Sequence, residues 1–500
     1  MGSKLEWKFS QVFGERKAGE EIENVDIITA VEFDKSGEYI ASGDRGGRVV
    51  LFERTNGKYH GSRKDLERLD HPPRSHPEYH YKTEIQSHEP EFDYLKSFEI
   101  EEKVNKVKWC PRANDSLFLL SANDKTIKLW KVMQRKVKKV EEINPNPSVS
   151  SENTLLSGKG FLLGQEESPV ANGNSLEKTS GILPNDLSKS LEESLSLRHL
   201  ILREPSISRC RRVYAHAHDF HINSISINSD CETFISADDL RINLWNLEKS
   251  YQCFNIIDLK PNNMEDLTEV ITSAEFHPVH CNLLAYGGSK GIIRLVDMRQ
   301  SALCDGCARI FEDKAAHGPR SFLTELIGAI SHMKFASNGR HVLSRDYMNL
   351  KLWDLHMDSS PISTFKIHEY LSPKLSELYN NDLIFDKFEC CLSQDGLHFA
   401  TGSYSNLFQV YSHGSGREER TILEACRNPN RKPLLPKSTK SVRSFASLTR
   451  GYGKRGHEAS IFDINGDPCD LTMKLLHLAW HPTSNLIACA SANSLYMYYA

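Results

Sequence analysis

The chain has 500 residues, with 62 Lys or Arg against 66 Asp or Glu, so its formal net charge is −4. Hydrophobic residues make up 39% and charged residues 26%, which is typical of a soluble globular protein. The near-neutral balance argues against a dedicated nucleic-acid binder, and no apolar run approaches the ~18 residues that a membrane span needs.

The N-terminal residues and the cysteines indicate the compartment. Met1 is followed by Gly-Ser-Lys-Leu-Glu, which contains no apolar stretch, so no secretory signal is predicted. The 12 cysteines do not form a disulfide framework, and several sit in apolar, strand-like runs, as Cys390, Cys391 and Cys489 do. We interpret them as thiols in a reducing compartment, and we expect the protein in the cytoplasm, with the nucleus as a further location.

A unit of three strands and two polar turns recurs along the chain. In the first copy the leading strand alternates apolar residues, from Ile28 to Phe33, and a turn ending at Gly37 follows. The third strand is rich in β-branched and aromatic residues, as in Ile127-Lys-Leu-Trp130. The seven copies span residues 28–54, 104–132, 222–247, 271–299, 330–355, 388–413 and 476–500.

A fourth, less regular strand after each unit gives the four-stranded antiparallel blade of a WD-repeat propeller. We therefore predict an all-β, seven-bladed ring that occupies residues 1–500 as a single domain. The seventh unit ends at Ala500 without a fourth strand, whereas residues 7–13 form a strand-like run with no partner of their own. We expect this N-terminal strand to complete the last blade, because closure removes an exposed sheet edge.

Insertions account for the rest of the length. Seven blades of ~40–45 residues need about 300 residues. The largest insertions are residues 55–90, 133–209 and 425–472. Residues 133–209 leave from a third strand as a long handle, and their Ser- and Asn-rich centre, residues 144–196, is predicted to be mostly disordered. Residues 427–455 carry nine Lys or Arg and no acid, which favours a solvated loop over a localisation signal or an anion contact.

Acidic residues gather at one face of the predicted ring, the top. In a WD blade this face holds the turn between the second and third strands and the link to the next blade. Asp238 and Asp239 lie in such a turn, and Glu265 and Asp266 lie in such a link, beside Leu267. One Asp in each turn commonly caps its own blade, but the second acid is harder to explain that way. An acidic rim attracts basic partners, and Leu267 is either an apolar anchor or a core-facing loop residue.

No catalytic motif is present: the sequence contains no Gly-x-Ser-x-Gly, no Walker loop and no His-Glu-x-x-His. His277-Pro and His481-Pro occupy equivalent turns of two blades, so repeat structure explains them better than metal ligation. Cys304-Asp-Gly-Cys307 is a lone pair without a second ligand pair at metal spacing. We predict no catalytic residue, no metal site and no cofactor.

Longer segments carry a family resemblance. They are SHEPEFDYLKSFEI (residues 87–100), NDKTIKLW (123–130), HINSISINSDCETFISADDLRINLW (221–245), FNIIDLKPNNMEDLTEVITSAEFHP (254–278) and FDKFECC (385–391). In these segments the chain is similar to the B-type, WD-repeat regulatory subunit of protein phosphatase 2A, and the size of its Ser-rich insertion resembles plant members. The resemblance runs from Trp7 to the end of the chain.

The resemblance implies a function. A member would have a hairpin handle and a bottom side that contact a HEAT-repeat scaffold subunit, and a catalytic subunit would complete the trimer and carry the metal ions. A groove on the top face would select phosphoprotein substrates with basic segments and hold them near the catalytic centre. The substrate-binding positions would be Asp239 and Leu267, with Arg45, Glu265, Asp266 and Asp238 on the rim.

The handle departs from the family pattern, so the family's scaffold contacts cannot all be assigned to residues of this chain. The handle is Ser/Asn-rich and longer than in animal members, so only its base, near Lys131, Arg211 and Arg212, is expected to contact the scaffold.

Two other functions stay open at this point. A WD adaptor of another complex, such as a ubiquitin ligase or a histone-binding complex, would co-purify with different partners. An enzyme with a metal in the propeller channel would turn over substrate alone and lose activity on chelation.

Overall fold

The computed structural model describes residues 5–15, 22–55, 76–111, 116–133, 208–301, 303, 304, 306, 308–313, 321–357, 360–413, 419–430 and 469–500. The chain divides into two compact units. The first comprises residues 1–134 and 206–500, and the second, residues 135–205, lies outside the described residues. All of the described residues therefore belong to the first unit.

Seven four-stranded antiparallel sheets form the blades, as the repeat predicted. The first three contain β2 (Ile28–Phe33), β3 (Tyr39–Asp44), β4 (Arg48–Arg54) and β5 (Tyr79–Gln86); β8 (Lys106–Trp109), β9 (Leu117–Ala122), β10 (Ile127–Val132) and β11 (Ser208–Tyr214); and β12 (Ser224–Ile227), β13 (Thr233–Ala237), β14 (Arg241–Asn246) and β15 (Lys249–Asp258).

The next three blades contain β16 (Ile271–Phe276), β17 (Leu283–Gly288), β18 (Ile293–Asp297) and β19 (Arg309–Phe311); β20 (His332–Phe335), β21 (His341–Arg345), β22 (Asn349–Asp354) and β23 (Ser363–Lys366); and β24 (Cys390–Leu392), β25 (His398–Gly402), β26 (Leu407–Ser412) and β27 (Glu419–Glu424). Blade 7 contains β28 (Leu478–Trp480), β29 (Leu486–Ser491), β30 (Ser494–Tyr499) and β1 (Lys8–Phe13).

The N-terminal strand closes the ring, as predicted. Strand β1 pairs antiparallel with β30, from Lys8 opposite Tyr499 to Phe13 opposite Leu495. Trp7, just before β1, is buried and packs edge-on against Trp480 of β28, with ring centroids 5.4 Å apart. Each inner strand contacts the inner strands of the two neighbouring blades, in the cyclic order β2, β8, β12, β16, β20, β24, β28 and back to β2.

The core is divided among the blade interfaces. Seven clusters of buried hydrophobic residues each combine side chains from two adjacent blades, including one between blades 7 and 1 that contains Met497, Leu486 and Ile40. Each blade therefore buries apolar side chains against its neighbour, which is the main source of stability for such a ring.

Side chains from one blade cover backbone groups of the next around the channel. The hydroxyl of Ser273 accepts a hydrogen bond from the N–H of Met333, at 3.2 Å, and Glu275 Oε2 accepts one from the N–H of Phe335, at 2.6 Å. His332 Nδ1 accepts one from the N–H of Cys390. These bonds satisfy N–H groups on the inner edges, which would otherwise be left without a partner in the wall.

The links between blades add structure that the repeat did not predict. A two-stranded hairpin, β6 (Glu91–Asp93) and β7 (Phe98–Ile100), precedes blade 2. Two short helices, α1 (Phe322–Gly328) and α2 (Leu375–Asn380), precede blades 5 and 6. Single 3₁₀ turns span Asn24–Asp26, Met264–Asp266 and Leu383–Phe385, and a longer one spans Glu369–Lys374.

Two predicted insertions lie largely outside the described residues. Of the handle at 133–209, only Met133, Ser208 and Arg209 are described, and the predicted disorder of residues 144–196 falls wholly outside. Of the basic insertion at 425–472, residues 431–468 are outside. Its two described ends are held against the ring: Asn430 donates to the carbonyl of Trp7 at 2.9 Å, and the N–H of Asp470 donates to Ser405 Oγ at 2.9 Å.

Candidate functional site

The second turns of the blades and the links to the next blades share one face of the ring, the top face. In four blades a carbonyl of the turn accepts a hydrogen bond from the first residues of the following blade. These bonds run from the N–H of Val104 to Asp44 (3.0 Å), Ile222 to Asp124 (2.9 Å), Ile271 to Asp239 (2.7 Å) and Ile330 to Gly288 (3.3 Å). The predicted substrate-binding residues all lie in these turns and links.

Asp238 and Asp239 are neighbours with different surroundings. Asp238 is buried, and its carboxylate accepts hydrogen bonds from the N–H groups of Leu240 and Arg241 at 2.8 and 2.7 Å and contacts His218 Nδ1 at 2.9 Å. Burial opposes its ionisation, but the bonds from His218 and the backbone hold the pKa of Asp238 below its ordinary value. Its burial and these internal bonds argue against direct contact between Asp238 and a substrate.

Asp239 is half-buried at the top face and forms no ion pair within the described part of the chain. Burial raises its pKa above the ordinary value, with the Coulomb attraction of Lys387 acting in the opposite sense. The charged form of a partly desolvated carboxylate that forms no ion pair is stabilised when a ligand places a cation against it. Asp239 is therefore suited to contact a basic side chain.

Leu267 belongs to the link that is attached to the turn of Asp239 by a backbone hydrogen bond. It ends the 3₁₀ turn Met264–Asp266, four residues before Ile271, whose N–H bonds the carbonyl of Asp239. Leu267 is partly exposed, whereas Glu265 and Asp266 are exposed. One apolar side chain and two acids therefore lie on the link that is bonded, through Ile271, to the turn that carries Asp239.

Asn263 fixes the shape of this link. Its side-chain oxygen accepts a hydrogen bond from the N–H of Glu265 at 3.2 Å, and the N–H of Leu267 bonds the carbonyl of Met264 at 3.2 Å. Asn commonly caps a turn in this way, so the local sequence explains why Leu267 is held at the surface.

Arg45 lies at the corresponding turn of blade 1. It is exposed, its backbone N–H bonds the carbonyl of Ile27 at 3.0 Å, and its guanidinium donates to Asn24 Oδ1 at 2.6 Å. The next base, Arg48, bonds both Asp26 and Asp44. Asp26 and Asp44 are therefore already neutralised at this turn of blade 1.

A hairpin that sequence reasoning did not single out adds apolar surface to the top face. The turn between β6 and β7 exposes Tyr94 (85%) and Leu95 (98%), and Phe92 beside them is also exposed. Lys96 in the same turn pairs with Asp219 of blade 3 at 2.9 Å, so the hairpin lies over blades 2 and 3. The signal that could have revealed it is the run of apolar residues in FDYL, within a link too short for a blade. We call Phe92, Tyr94 and Leu95 the hairpin patch.

A second group of exposed aromatic residues lies over blades 5 and 6. Phe322 at the start of α1 packs edge-on against Tyr379 of α2 at 5.5 Å, and Tyr379 lies 6.0 Å from Phe385. Phe322 is 62% and Phe385 51% exposed. Beneath them an eighth buried cluster, which includes Leu378, supports the helices. We call Phe322, Tyr379 and Phe385 the aromatic patch; sequence reasoning missed it because the three residues are distant in the chain.

The predicted scaffold-binding residues lie near the base of the handle, on β10 and β11. Lys131 opposes Arg209 in the strand pairing, and its ammonium lies 5.7 Å from the ring of Phe118. Arg211 is exposed, whereas Arg212 pairs with Glu248 and donates to its carbonyl at 2.9 Å. Arg211 is thus the most available of the three for a partner.

The histidines of the His-Pro turns have structural roles, as predicted. His481 Nε2 bonds the carbonyl of Gly37 at 3.2 Å, and its Nδ1 accepts from the N–H of Thr483 and of Ser484. His277 makes the equivalent bonds in blade 4.

Among the described residues there is no group of three or more His, Cys, Asp or Glu that could hold a metal ion. In the described part of the chain no helix is both long and apolar enough to cross a membrane. Of the lone CxxC pair, Cys304 is buried and Cys307 lies outside the described residues.

The fold is a closed propeller with apolar and acidic groups on one face, and His277 and His481 have structural roles. These features are those of a WD-repeat binding protein. The family model "WD domain, G-beta repeat" matches residues 208–246, which span β11 to β14. The chain is 61% identical over 499 residues to a rice protein (Oryza sativa), the beta isoform of the B-type 55 kDa regulatory subunit of serine/threonine protein phosphatase 2A. The match covers 99% of this chain and 94% of the rice protein.

The corresponding beta isoform of Arabidopsis thaliana is 60% identical over 501 residues, covering 99% of this chain and 97% of the relative. The Dictyostelium discoideum phosphatase 2A regulatory subunit phr2AB is 44% identical over 501 residues, covering 100% and 99%. This chain belongs to the family of 55 kDa B-type regulatory subunits of protein phosphatase 2A, which confirms the resemblance. It is a regulatory subunit of a phosphatase and not the catalytic one, and the family makes an unrelated WD adaptor the poorer hypothesis.

Proposed function

We propose that this protein selects phosphoprotein substrates for a trimeric serine/threonine phosphatase. Its top face holds a basic segment of the substrate, and its bottom side docks to the HEAT-repeat scaffold subunit, to which the catalytic subunit also attaches. Asp239 receives a basic side chain, Leu267 an apolar one, and Arg45, Glu265 and Asp266 form the charged rim. The observation that carries this proposal is the half-buried carboxylate of Asp239, on the turn whose carbonyl bonds the link that follows Leu267.

The chemical step belongs to the catalytic subunit, so this chain acts by proximity. A substrate held on the same particle meets the catalytic centre at an effective concentration in the millimolar range for a short tether, far above its concentration in solution. The protein's own residues therefore need only bind and orient a segment at some distance from the phosphorylated residue.

A reconstituted trimer tests the substrate face. The chain is assembled with plant scaffold and catalytic subunits, and dephosphorylation of phosphorylated histone H1 is measured as a lysine-rich probe. Asp239→Lys should abolish most of the stimulation that this subunit gives. Leu267→Ala should weaken probe binding by about 2 kcal/mol, or about thirtyfold, the loss expected at a binding hot spot.

The controls separate binding from assembly. Both variants should enter the trimer normally on size-exclusion chromatography, and activity toward a small phosphate ester should be unchanged. Glu232→Lys, a reversal of an exposed acid at the first turn of blade 3 on the opposite face, is the matched control and should leave probe binding intact. Normal probe dephosphorylation by Asp239→Lys would refute the acidic groove.

The scaffold contact is a separate part of the proposal. Arg211→Glu should reduce incorporation into the trimer, and Lys131→Glu and Arg212→Glu should do so less, because these two side chains already have partners within the chain. Cytoplasmic and partly nuclear localisation remains a prediction, which a fluorescent fusion would test.

A further inference from the structure

The link that carries Leu267 is anchored on both sides of that residue. The 3₁₀ turn Met264–Asp266 fixes the start of the link, and residues 267–270, which follow it, have no regular secondary structure. At the end of the link, Val270 and Ser289 exchange two hydrogen bonds. The N–H of Val270 donates to Ser289 Oγ at 3.1 Å, and the N–H of Ser289 donates to the carbonyl of Val270 at 2.9 Å. Leu267 therefore lies between two fixed points.

Glu269 forms an ion pair inside this short stretch. Its Oε1 and Oε2 accept hydrogen bonds from Nη1 and Nη2 of Arg294, on β18 of blade 4, at 2.9 and 2.7 Å. The side chain of Glu269 is 8% exposed and that of Arg294 is 19% exposed, so water has little access to the pair. Two parallel bonds between a guanidinium and a carboxylate fix direction as well as distance. The pair therefore holds the chain just after Leu267 in one orientation against blade 4.

Two neighbours define the place of this ion pair. Tyr286 is buried opposite Arg294 in the pairing of β17 with β18, and the guanidinium lies 5.7 Å from the centre of its ring. Gly288, the last residue of β17, leaves room for the carboxylate, because a Cβ added there would lie 2.2 Å from Glu269 Oε1. A larger residue at position 288 would therefore displace the carboxylate of Glu269.

A shielded ion pair contributes little net stability, because desolvation offsets most of the Coulomb attraction, but it can select one arrangement of the groups that it joins. We propose that Glu269 and Arg294 are positioning residues, which hold Leu267 in the orientation that receives an apolar side chain of the substrate. They act through Leu267 and do not contact the substrate. This inference rests on the proposed substrate-binding role of Leu267.

The first test removes both charges together, so that no unpaired charge stays buried. The variant Glu269→Met with Arg294→Met is assembled into the trimer, and the kinetics of dephosphorylation of phosphorylated histone H1 are measured. KM should rise about fivefold, a typical effect of residues that act through others. The value of kcat should not change, because the variant loses binding and the chemical step belongs to another subunit. An unchanged KM would overturn the proposal.

A double-mutant cycle determines whether the ion pair acts through Leu267. In a Leu267→Ala background, the same two replacements should change KM by less than about twofold, because the side chain that they would misplace is already absent. A purely structural role of the pair predicts the same rise in KM in both backgrounds. That result would refute the positioning role.

Gly288→Ala displaces the carboxylate and keeps both charges. It should raise KM in the wild-type background but not in the Leu267→Ala background. The matched control is Arg299→Met, because Arg299 forms a bidentate ion pair with Asp297, at the other end of β18. This control should leave KM unchanged. A rise in KM as large for Arg299→Met as for Gly288→Ala would contradict the proposal.

Hydrogen exchange measures the position of the link without a substrate. In Glu269→Met with Arg294→Met, amide exchange should accelerate in residues 264–270 and stay unchanged in β12 and β13. Unchanged exchange in residues 264–270 would overturn the inference. If Leu267→Ala leaves KM unchanged, the proposed role of Leu267 is wrong and this inference fails with it. If Leu267→Ala raises KM and the double replacement does not, this inference fails and the proposed function stands.

Discussion

At the residue scale, the turn between the first two strands of a blade depends on one glycine and the group above it. Gly37 has φ +72°, and a Cβ added there would lie 2.2 Å from His481 Nε2. Gly396 occupies the equivalent turn of blade 6 with φ +68°, but a Cβ there would meet only Ala336 Cβ, at 3.7 Å. A side chain at the glycine position is therefore blocked where the preceding blade places a histidine, His481, and has room where it places an alanine, Ala336.

We expect Gly37→Ala to lower the free energy of unfolding by about 3 kcal/mol or more, because backbone strain and a steric clash add. Gly396→Ala carries only the strain of a left-handed conformation, about 1–2 kcal/mol. Urea denaturation followed by tryptophan fluorescence measures both. Equal losses in the two variants would contradict the role assigned to His481.

The same histidine predicts a dependence of stability on pH. Burial lowers the pKa of His481 to about 4, from 6.5 in an unfolded chain. As the pH falls below 6.5 the unfolded chain takes up a proton that the folded chain refuses until about pH 4, so stability falls over this window. Near pH 5, His481 should contribute about 1 kcal/mol per pH unit to the slope.

Replacing His481 by Gln removes this titration. Although the variant will be less stable at pH 7, its unfolding free energy should decline less steeply between pH 6.5 and 4 than that of the wild type. A His356→Gln variant, at an outer turn of blade 5, controls for the loss of any histidine. If the unfolding free energy of His481→Gln declines as steeply with falling pH as that of the wild type, the imidazole of His481 does not remain neutral in the folded state.

The residue scale also shows where sequence reasoning about the site stops. Asp238 and Asp239 are adjacent and chemically identical, and the pattern assigned one acid per turn to structure without distinguishing them by contacts. The structure distinguishes them by burial: Asp238 bonds His218, whereas Asp239 forms no ion pair among the described residues. His218, the partner of Asp238, lies 20 residues earlier in the sequence, so the sequence of the turn alone does not predict this contact.

At the scale of elements, strand β1 is held by more than its ladder. Trp7 is 2% exposed, and Gln11 exchanges two hydrogen bonds with the backbone of Tyr79, at 2.8 and 2.9 Å, which joins blade 7 to blade 1. Trp7→Ala should lower the free energy of unfolding by about 3–5 kcal/mol, as expected for a large buried aromatic.

Lys8→Ala is the control for Trp7→Ala, because Lys8 is exposed on the same strand and its truncation should change stability by less than about 0.5 kcal/mol. Chemical denaturation would compare them. A small loss in Trp7→Ala would mean that the ring closes without this anchor.

Elements also divide into those that the sequence predicts and those that it does not. The blades follow from a repeated alternation of apolar residues and from turn glycines, both of which act over a few residues. Hairpin β6–β7 and helices α1 and α2 occur once each and follow no repeat. Helix α2, at six residues, is too short to be stable alone, and it depends on the cluster beneath it around Leu378.

At the scale of the whole molecule, the two proposed binding regions lie at different places on a rigid ring. Because the blades share buried interfaces all the way round, a change on the top face should not alter the handle base. We expect the free energy of trimer assembly of the Asp239→Lys, Arg211→Glu double variant to equal that of Arg211→Glu alone, within about 0.5 kcal/mol. Analytical ultracentrifugation of the double variant measures assembly, and strong coupling would contradict a rigid ring.

The net charge of −4 does not show how charge is distributed over the molecule. Asp239, Glu265 and Asp266 lie on the top face near blades 3 and 4, whereas most of the basic run at 427–455 lies outside the described residues. Composition could place the chain among soluble proteins, but only the order of the strands around the axis shows which charges share a face.

The pairing of β1 with β30 also governs how the protein must be made. Lys8 and its partner Tyr499 lie far apart in the sequence, so Lys8 leaves the ribosome long before Tyr499 does. At a synthesis rate of ~5–20 residues per second, the N-terminal strand waits roughly 25–100 s for its partner. During that interval Trp7 and the open edge of blade 1 have no place to pack, so the nascent chain is expected to need a chaperone until β30 emerges.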